Sequence, residues 1–414
     1  MIETYQIVSF TKYRPIVWSS RKWLNNSLVI AGKPGSQTGI TRQSRKSKIL
    51  DTCRVGRPQI YFANFSSRTV VKCTNGDSAV TTKGQIMIAL RGRILSGIPV
   101  LALGLFLTIS ATEAQEAKTI RIVKQPGLGY LGLIVMRAQG LLEKHLPGVV
   151  VEWSELTSGP AIRDAMLAGQ LDIGSGGLAP FILAVDRGLG WKIVGALNDM
   201  PLYLNTYKPE IKSLKDFTTN DKIALPAPGS IQHITLQMAA EKELGNPKAL
   251  DNIIVAMAHP EARAALISKR EITAHLTSPP FQYQELKAGG IHKVLDSYQV
   301  MGGPHTFNIV WTTEKWAKAN AKLMKGFYNA LIESLDIINK SPLAAAKVFV
   351  ESEKSKDTPE TTLSYMKEPG VRFVIYPTGL MKYAQFMHKT DLIKKQPASW
   401  KDYAFEHLHS FPGN

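Results

Sequence analysis

The chain has 414 residues, too many for one compact domain of ordinary size, so at least two lobes are expected. A formal net charge of +17 would suggest a nucleic-acid binder if it were spread along the fold, but residues 1–86 carry 14 of the 50 Lys/Arg and only 3 of the 33 Asp/Glu. The 300 residues from 115 onward keep a net charge of +5 and contain no cysteine, which excludes a disulfide framework or cysteine metal site there.

Residues 1–86 hold both cysteines, Cys53 and Cys73, and are rich in Ser, Thr, Arg and Lys without sustained periodicity. Such a segment is expected not to bury a core. It reads as an upstream extension, spurious or disordered, with a basic nucleic-acid tail as the alternative. Met87 then opens MIALRGRILSGIPVLALGLFLTISATEAQEA. Arg91 and Arg93 precede an apolar run from Ile94 to Ile109, and small residues end at Ala114, the order of a secretory signal peptide. An uncleaved membrane anchor is the competing reading, but the run is shorter than the ~20 residues a span needs and is interrupted by Gly97, Pro99 and Gly104. The expectation is therefore a start at Met87, cleavage after Ala114 and a periplasmic product.

From Lys118 the pattern alternates short apolar strand, glycine-bearing loop and helix, which argues for α/β architecture with parallel βαβ units. Thr119–Lys124 predicts a first strand, Leu131 to His145 a helix closed by Pro147 and Gly148, and Val149–Trp153 a second strand. Ser158 and Pro160 suit a helix start, Ala161–Ala168 continue it, and Leu171–Gly174 predict a third strand. The plan repeats: strand Lys222–Leu225, loop Pro228-Gly229-Ser230, helix Ile231–Leu244, then strands at Ile253–Met257 and Glu271–Leu276. Phe307–Thr312 predicts a strand that returns to the first lobe, followed by helices over Glu314–Asn339, Pro342–Glu351 and Pro359–Glu368. Two similar α/β lobes joined by crossover strands describe a clamshell with its site in the cleft. Lobe I is expected over 115–205 and 307–414, and lobe II over 206–306.

Three segments carry a resemblance: Leu133–Leu146 (LIVMRAQGLLEKHL), Gly159–Gly174 (GPAIRDAMLAGQLDIG) and Lys222–Leu236 (KIALPAPGSIQHITL), with Pro279 closing the second lobe's pattern. They resemble the periplasmic solute-binding proteins of nitrate, sulfonate and taurine importers, whose wider group includes the thiamine-pyrimidine synthase-like proteins. The resemblance implies a type II periplasmic-binding-protein clamshell, each lobe a mainly parallel sheet flanked by helices. It also implies the capture subunit of an ABC importer, with a permease and its ATPase as partners, a monomer, and no cofactor. One departure stands out: Thr273 occupies the position where the family pattern has an acid.

Glycine loops at helix starts leave N–H groups unpaired at the positive end of the helix dipole, which suits carboxylate, sulfonate or phosphate. The candidate ligand contacts are Gly129 and Tyr130 in the first loop, Ser158 and Gly159 in the second, and Ser175 and Gly176 after the third strand. Gly229, Ser230 and His233 are their counterparts in lobe II. Each has a plain structural reading beside it: a tight turn with Tyr130 packed in its own lobe, capping serines at Ser158 and Ser230, a surface histidine at His233. Asp172 reads as a turn or cap residue, and Phe281 and Trp311 as either cleft or core aromatics. Gly127, Gly129 and Gly132 with Glu152 also spell a dinucleotide fingerprint, a pattern frequent by chance. No H-E-x-x-H, P-loop or G-x-S-x-G occurs in the sequence.

The resulting expectation is binding without chemistry of a small, anionic organic solute: a sulfonate, a carboxylate or a pyrimidine-like compound. The alternatives are a pyrimidine-synthesis enzyme on the same scaffold, whose cysteine-rich motif this body lacks, and an exported sensor. The leader reading makes one checkable statement. Protein recovered from the periplasm of a Gram-negative host should begin at Gln115 by intact mass, and a mass that retains residues 87–114 would refute cleavage there.

Overall fold

The computed structural model describes residues 118–414 and six short strand segments before them: β1 Gln6–Ile7, β2 Ile16–Val17, β3 Ser27–Val29, β4 Gly39–Thr41, β5 Gln59–Phe65 and β6 Arg68–Thr74. The chain divides into two units, Met1–Phe106 and Leu107–Asn414. In the first unit the six strands pair antiparallel two by two. The expected leader, residues 87–114, and the remainder of 1–86 lie outside the described residues. Among the described residues no helix is long and apolar enough to cross a membrane.

The second unit starts with β7 (Thr119–Lys124), whose alternating Ile120 and Ile122 are fully buried. The expected helix from Leu131 to His145 is two helices, α1 (Leu131–Ala138) and α2 (Leu141–His145). Gly140 between them is left-handed (φ 60°), a conformation that ends the first helix and turns the chain. Next come β8 (Val150–Glu155), α3 (Gly159–Leu167), β9 (Gly174–Gly177), α4 (Leu178–Asp186) and β10 (Trp191–Asp199). Strand β9 begins where the third strand was expected to end. Asp172 is occupied in a turn, taking the Arg121 backbone N–H at 2.9 Å and an ion pair from the Arg121 guanidinium at 2.7 Å.

The second sheet takes β11 (Tyr203–Thr206), β12 (Ile223–Leu225), α5 (Ile231–Leu244), β13 (Ile254–Ala256), α6 (His259–Ile267), β14 (Ala274–Thr277), α7 (Phe281–Lys287) and β15 (His292–Asp296). A short helix, α8 (Ser297–Met301), leads to β16 (Thr306–Thr313), and five helices follow: α9 (Glu314–Ala319), α10 (Ala321–Lys340), α11 (Pro342–Glu353), α12 (Pro359–Met366) and α13 (Leu380–Lys389).

Both lobes share one strand plan. In lobe II the order is β13-β12-β14-β11-β15, with β12 parallel to β13 and β14, and β11 antiparallel to both β14 and β15. In lobe I, β8 is parallel to β7, β7 meets β9 at the parallel bridge Ile122–Ile173, and β16 lies antiparallel between β9 and β10. Four of five strands thus run one way in each sheet, and the opposed one is the strand that has just crossed from the other lobe. This is the mainly parallel, two-lobed periplasmic-binding-protein fold.

Two expected boundaries move. Strand β11 pairs in the second sheet, so lobe II begins before 206, at the crossing around Met200–Leu202. The C-terminal segment does not belong to lobe I alone: Gln284 Nε2 donates to Asp357 at 2.6 Å, Tyr283 stacks on Tyr365 at 5.1 Å, and the Tyr383 hydroxyl meets Thr235 Oγ1 at 2.9 Å. These contacts cross because helices α12 and α13 lie along the lobe interface, where their apolar faces find partners on both sides.

Trp311 is fully buried against Phe181 and Trp191, at ring distances of 5.8 and 6.1 Å, and so is a core residue. Its ring explains the first glycine of β9, since a Cβ on Gly174 would come within 2.5 Å of it.

The crossing strands are tied together at the hinge. The Leu202 N–H donates to Ser297 Oγ at 2.8 Å, Ser297 Oγ lies 2.8 Å from His305 Nε2, and His305 Nδ1 lies 3.0 Å from the Thr306 carbonyl. Asp199, buried beside them, accepts from Thr306 Oγ1 at 2.9 Å and from Arg372 at 2.5 Å. Burial lowers the His305 pKa to about 4, so the native ring stays neutral where an unfolded histidine, near 6.5, would take a proton. The unfolded state therefore binds the extra proton between those values. Stability from this residue is complete above pH ~6.5 and falls by about 2–4 kcal/mol as pH drops towards 4. Urea titrations across pH 4–8 should show that slope, and His305→Gln should reduce it.

Candidate functional site

Four helices, α3, α4, α5 and α6, start at one place between the lobes. Gly159 opens α3, Gly177 caps α4, Ser230 caps α5, and Ala258 and His259 open α6; these residues line the same cleft. The local sequence dictates each start. Ser158 Oγ accepts the Ala161 N–H at 3.3 Å and Ser230 Oγ accepts the His233 N–H at 3.3 Å, while Pro160 and Pro260 occupy first-turn positions where a missing N–H costs nothing. First-turn N–H groups have no partner inside their own helix, so four positive dipole ends converge on the cleft.

Small residues let the lobes come together. A Cβ on Gly177 would sit 2.6 Å from Ile231 of the opposite lobe, while within lobe I one on Gly159 would sit 2.6 Å from the Pro180 ring. The walls leave a cavity of about 20 Å³, room for one water, so an organic solute would fit between them only with the lobes further apart. Beyond Pro126 and Pro260 lies a wider groove of about 540 Å³, bordered by Phe281, Arg263, Lys287, Glu353 and Asp357.

The polar lining is neutral. Gln125, Thr157, Gln232, Ser278 and Asn308 contribute amides and hydroxyls, and among the described residues no Lys, Arg, Asp or Glu lines the cavity. Tyr130 meets Asn308 Oδ1 at 3.3 Å, and its burial raises the phenol's pKa well above the ordinary value, so it stays protonated. Burial, and then the neighbouring His275, hold the His259 pKa well below that of a free imidazole. An anion here would be met by backbone and side-chain dipoles alone.

Of the nine expected contacts, Tyr130, Gly159 and Ser230 line the cavity. The other six hold the walls in place. Gly129 accepts from Asn198 Nδ2 at 2.6 Å and Asn308 Nδ2 at 3.2 Å, and a side chain on it would collide with Phe307 and Asn308 at 2.6 Å. Ser158 is the α3 cap, and Ser175 Oγ donates to the Val123 carbonyl at 2.6 Å. Gly176 (φ 155°) passes close to Gln125 Nε2, where a Cβ would lie at 3.1 Å. Gly229 (φ 80°) donates its N–H to His233 Nδ1 at 2.9 Å, and His233 Nε2 pairs with Asp251 at 3.1 Å, so both brace the loop instead of facing the cleft.

Sequence reasoning passed over Gln125, Gln232, His259, Ser278 and Asn308. The pseudo-repeat could have found His259: it stands at the start of α6 where Gly159 stands at the start of α3, each followed by proline. The same repeat explains Thr273. Asp172 takes the Arg121 N–H in lobe I, and Thr273 Oγ1 takes the Lys222 N–H at 2.6 Å in lobe II, so a hydroxyl does the same bracing without charge.

A two-lobed cleft walled by helix starts defines the class as a periplasmic-binding-protein fold. Residues 113–351 match the model of the NMT1-like family, and the chain belongs to that family. It is 25% identical over 236 residues to an aliphatic sulfonates-binding protein of Escherichia coli (strain K12), covering 56% of this chain and 70% of that one. Among solved structures it is similar to the periplasmic aliphatic sulphonate binding protein SsuA from Escherichia coli (TM-score 0.54, 21% identity, 72% of this chain and 100% of that chain). It is also similar to the periplasmic nitrate-binding protein NrtA from Synechocystis PCC 6803 (TM-score 0.55, 13% identity, 70% of this chain and 84% of that chain).

The collision at Gly129 yields a prediction. Gly129→Val should destabilise the protein by about 1–3 kcal/mol through overpacking, whereas Ser230→Ala should cost about 1 kcal/mol as a lost cap. Urea midpoints measure both, and an unshifted midpoint for Gly129→Val would contradict the packing described here.

Proposed function

We propose that this chain is the solute-capturing subunit of an ABC importer, working outside the cytoplasmic membrane with a permease and its ATPase. Its solute is a small organic anion, a sulfonate, a carboxylate or an anionic pyrimidine-like compound, and it is bound without chemistry. The observation that carries this reading is the convergence of four helix N-termini on a cavity that no charged side chain lines among the described residues. Dipoles of this kind bind an anion without an ion pair, so the guest leaves again when the permease opens the lobes. The kinship with sulfonate-binding and nitrate-binding proteins supports the same reading.

Closure around a guest stabilises the native state by mass action, about 2.7 kcal/mol at a hundredfold excess over Kd. For a body of this size that corresponds to a rise in Tm of roughly 5 °C. A thermal-shift panel of alkanesulfonates, small carboxylates and pyrimidines on residues 115–414 should contain at least one such compound. Stabilisation by sugars or metal ions, with none from the panel, would overturn the solute class.

A further inference from the structure

Behind the cleft lies a chain of buried hydrogen bonds that the binding scheme above does not use. The Gln232 amide nitrogen lies 3.1 Å from His259 Nε2, His259 Nδ1 lies 2.9 Å from His275 Nε2, and His275 Nδ1 lies 2.6 Å from Glu285 Oε1. Asn205 Nδ2 donates to Glu285 Oε2 at 2.9 Å. Gln232 and His259 line the cavity, whereas His275 and Glu285 are 0% exposed.

The direction of every bond follows from its ends. An amide nitrogen can only donate, so His259 Nε2 accepts and its proton sits on Nδ1; His275 Nε2 therefore accepts, and its own Nδ1–H points at the Glu285 carboxylate. Turning the Gln232 amide over and adding one proton reverses the whole chain. A proton added at His259 Nε2 displaces the Nδ1 proton to His275 Nε2, and the His275 Nδ1 proton passes to Glu285. One proton has entered, the carboxylate has become a neutral acid, and both rings have changed tautomer without either becoming an imidazolium. The Nε2 edge of His259, which meets the cavity-lining Gln232, has changed from acceptor to donor.

We propose that Gln232, His259, His275 and Glu285 form a proton relay that opens into the cleft at His259 Nε2, so that an anion lodging against His259 enters together with one proton stored on Glu285. The clause about the anion rests on the solute class proposed above; the relay itself does not. His259 is the residue that would touch the solute, and His275 and Glu285 act through it as positioning residues.

The surroundings leave the relay as the place for that proton. Thr277 Oγ1 lies 3.3 Å from His259 Nδ1, Phe281 stacks on the His259 ring at 5.6 Å, and Asn205 of β11 and Ala224 of β12 flank His275 in the sheet. Arg263, one turn along α6, borders the outer groove. Among the described residues His275 is the one ionisable group hydrogen-bonded to His259, and Glu285 the one carboxylate bonded to His275.

Nitrogen-15 NMR of the histidine-labelled full chain reads the tautomers directly. Without solute, both rings should share one neutral tautomer at every pH from 5 to 8, and any change from Nδ1–H to Nε2–H should occur in both rings together. Rings in opposite tautomers, or either ring titrating to imidazolium with an ordinary pKa, would sink the relay. Sodium ethanesulfonate is the anion probe, with calorimetry in two buffers of different ionisation heat. At a pH where the free protein shows Nδ1–H, binding should switch both rings to Nε2–H and take up about one proton, and Glu285→Gln should take up none. Binding with no proton uptake by the wild-type protein would refute the coupling. Failure of ethanesulfonate to bind would count against the sulfonate reading, and the tautomers of the free protein would still decide the relay, whether or not Glu285→Gln folds.

Discussion

Everything in the second unit depends on a loan of strands. Each lobe completes its sheet with one antiparallel strand that arrives from the other lobe, β11 in one direction and β16 in the other. A strand already paired on both edges cannot slip without breaking ladder hydrogen bonds on both sides, so the crossings are held in register and motion is confined to the residues just outside them. Asp199, Ser297, His305 and Thr306 stand at those crossings, with Arg372 brought in from the C-terminal segment. Their mutual bonds make the hinge a defined structure.

The loan also places the chemistry. With β16 and β11 fixed, the loops after the parallel strands of both lobes face one another, and the helices that follow begin at the gap. Ligands in open α/β sheets bind outside the carboxyl ends of the strands, and here two such edges share one crevice. The result is a cleft that is polar and uncharged, with dipoles from helix starts in front and a titratable chain set back behind one wall. Separating the dipoles from the proton store lets the cleft remain neutral to solvent while keeping a carboxylate within three hydrogen bonds.

Three of the expected contact residues reach the cavity and six do not, and the split has a physical cause. A glycine or serine at a helix start is recognisable in sequence whether its role is to expose an N–H or to let another chain pass. Gly129 and Gly176 serve the second role, since Phe307 and Gln125 occupy the space a side chain would need. His233 was placed at the cleft by its distance from Ser230 along the helix, but Asp251, distant in that local reading, draws its ring away.

Local periodicity, helix caps and the repeat of strand, loop and helix by themselves determined the α/β class, the two lobes and the returning strand, expected at Phe307–Thr312 and found at Thr306–Thr313, because those features are encoded over spans of about ten residues. Tertiary structure alone decided where β9 starts, to which sheet β11 belongs and that α12 and α13 serve both lobes, since each depends on pairing with residues far along the chain. It alone also decided the relay: His259, His275 and Glu285 lie on a helix, a strand and another helix, and only the packing of α6 and α7 on β14 brings their nitrogen and oxygen atoms into line.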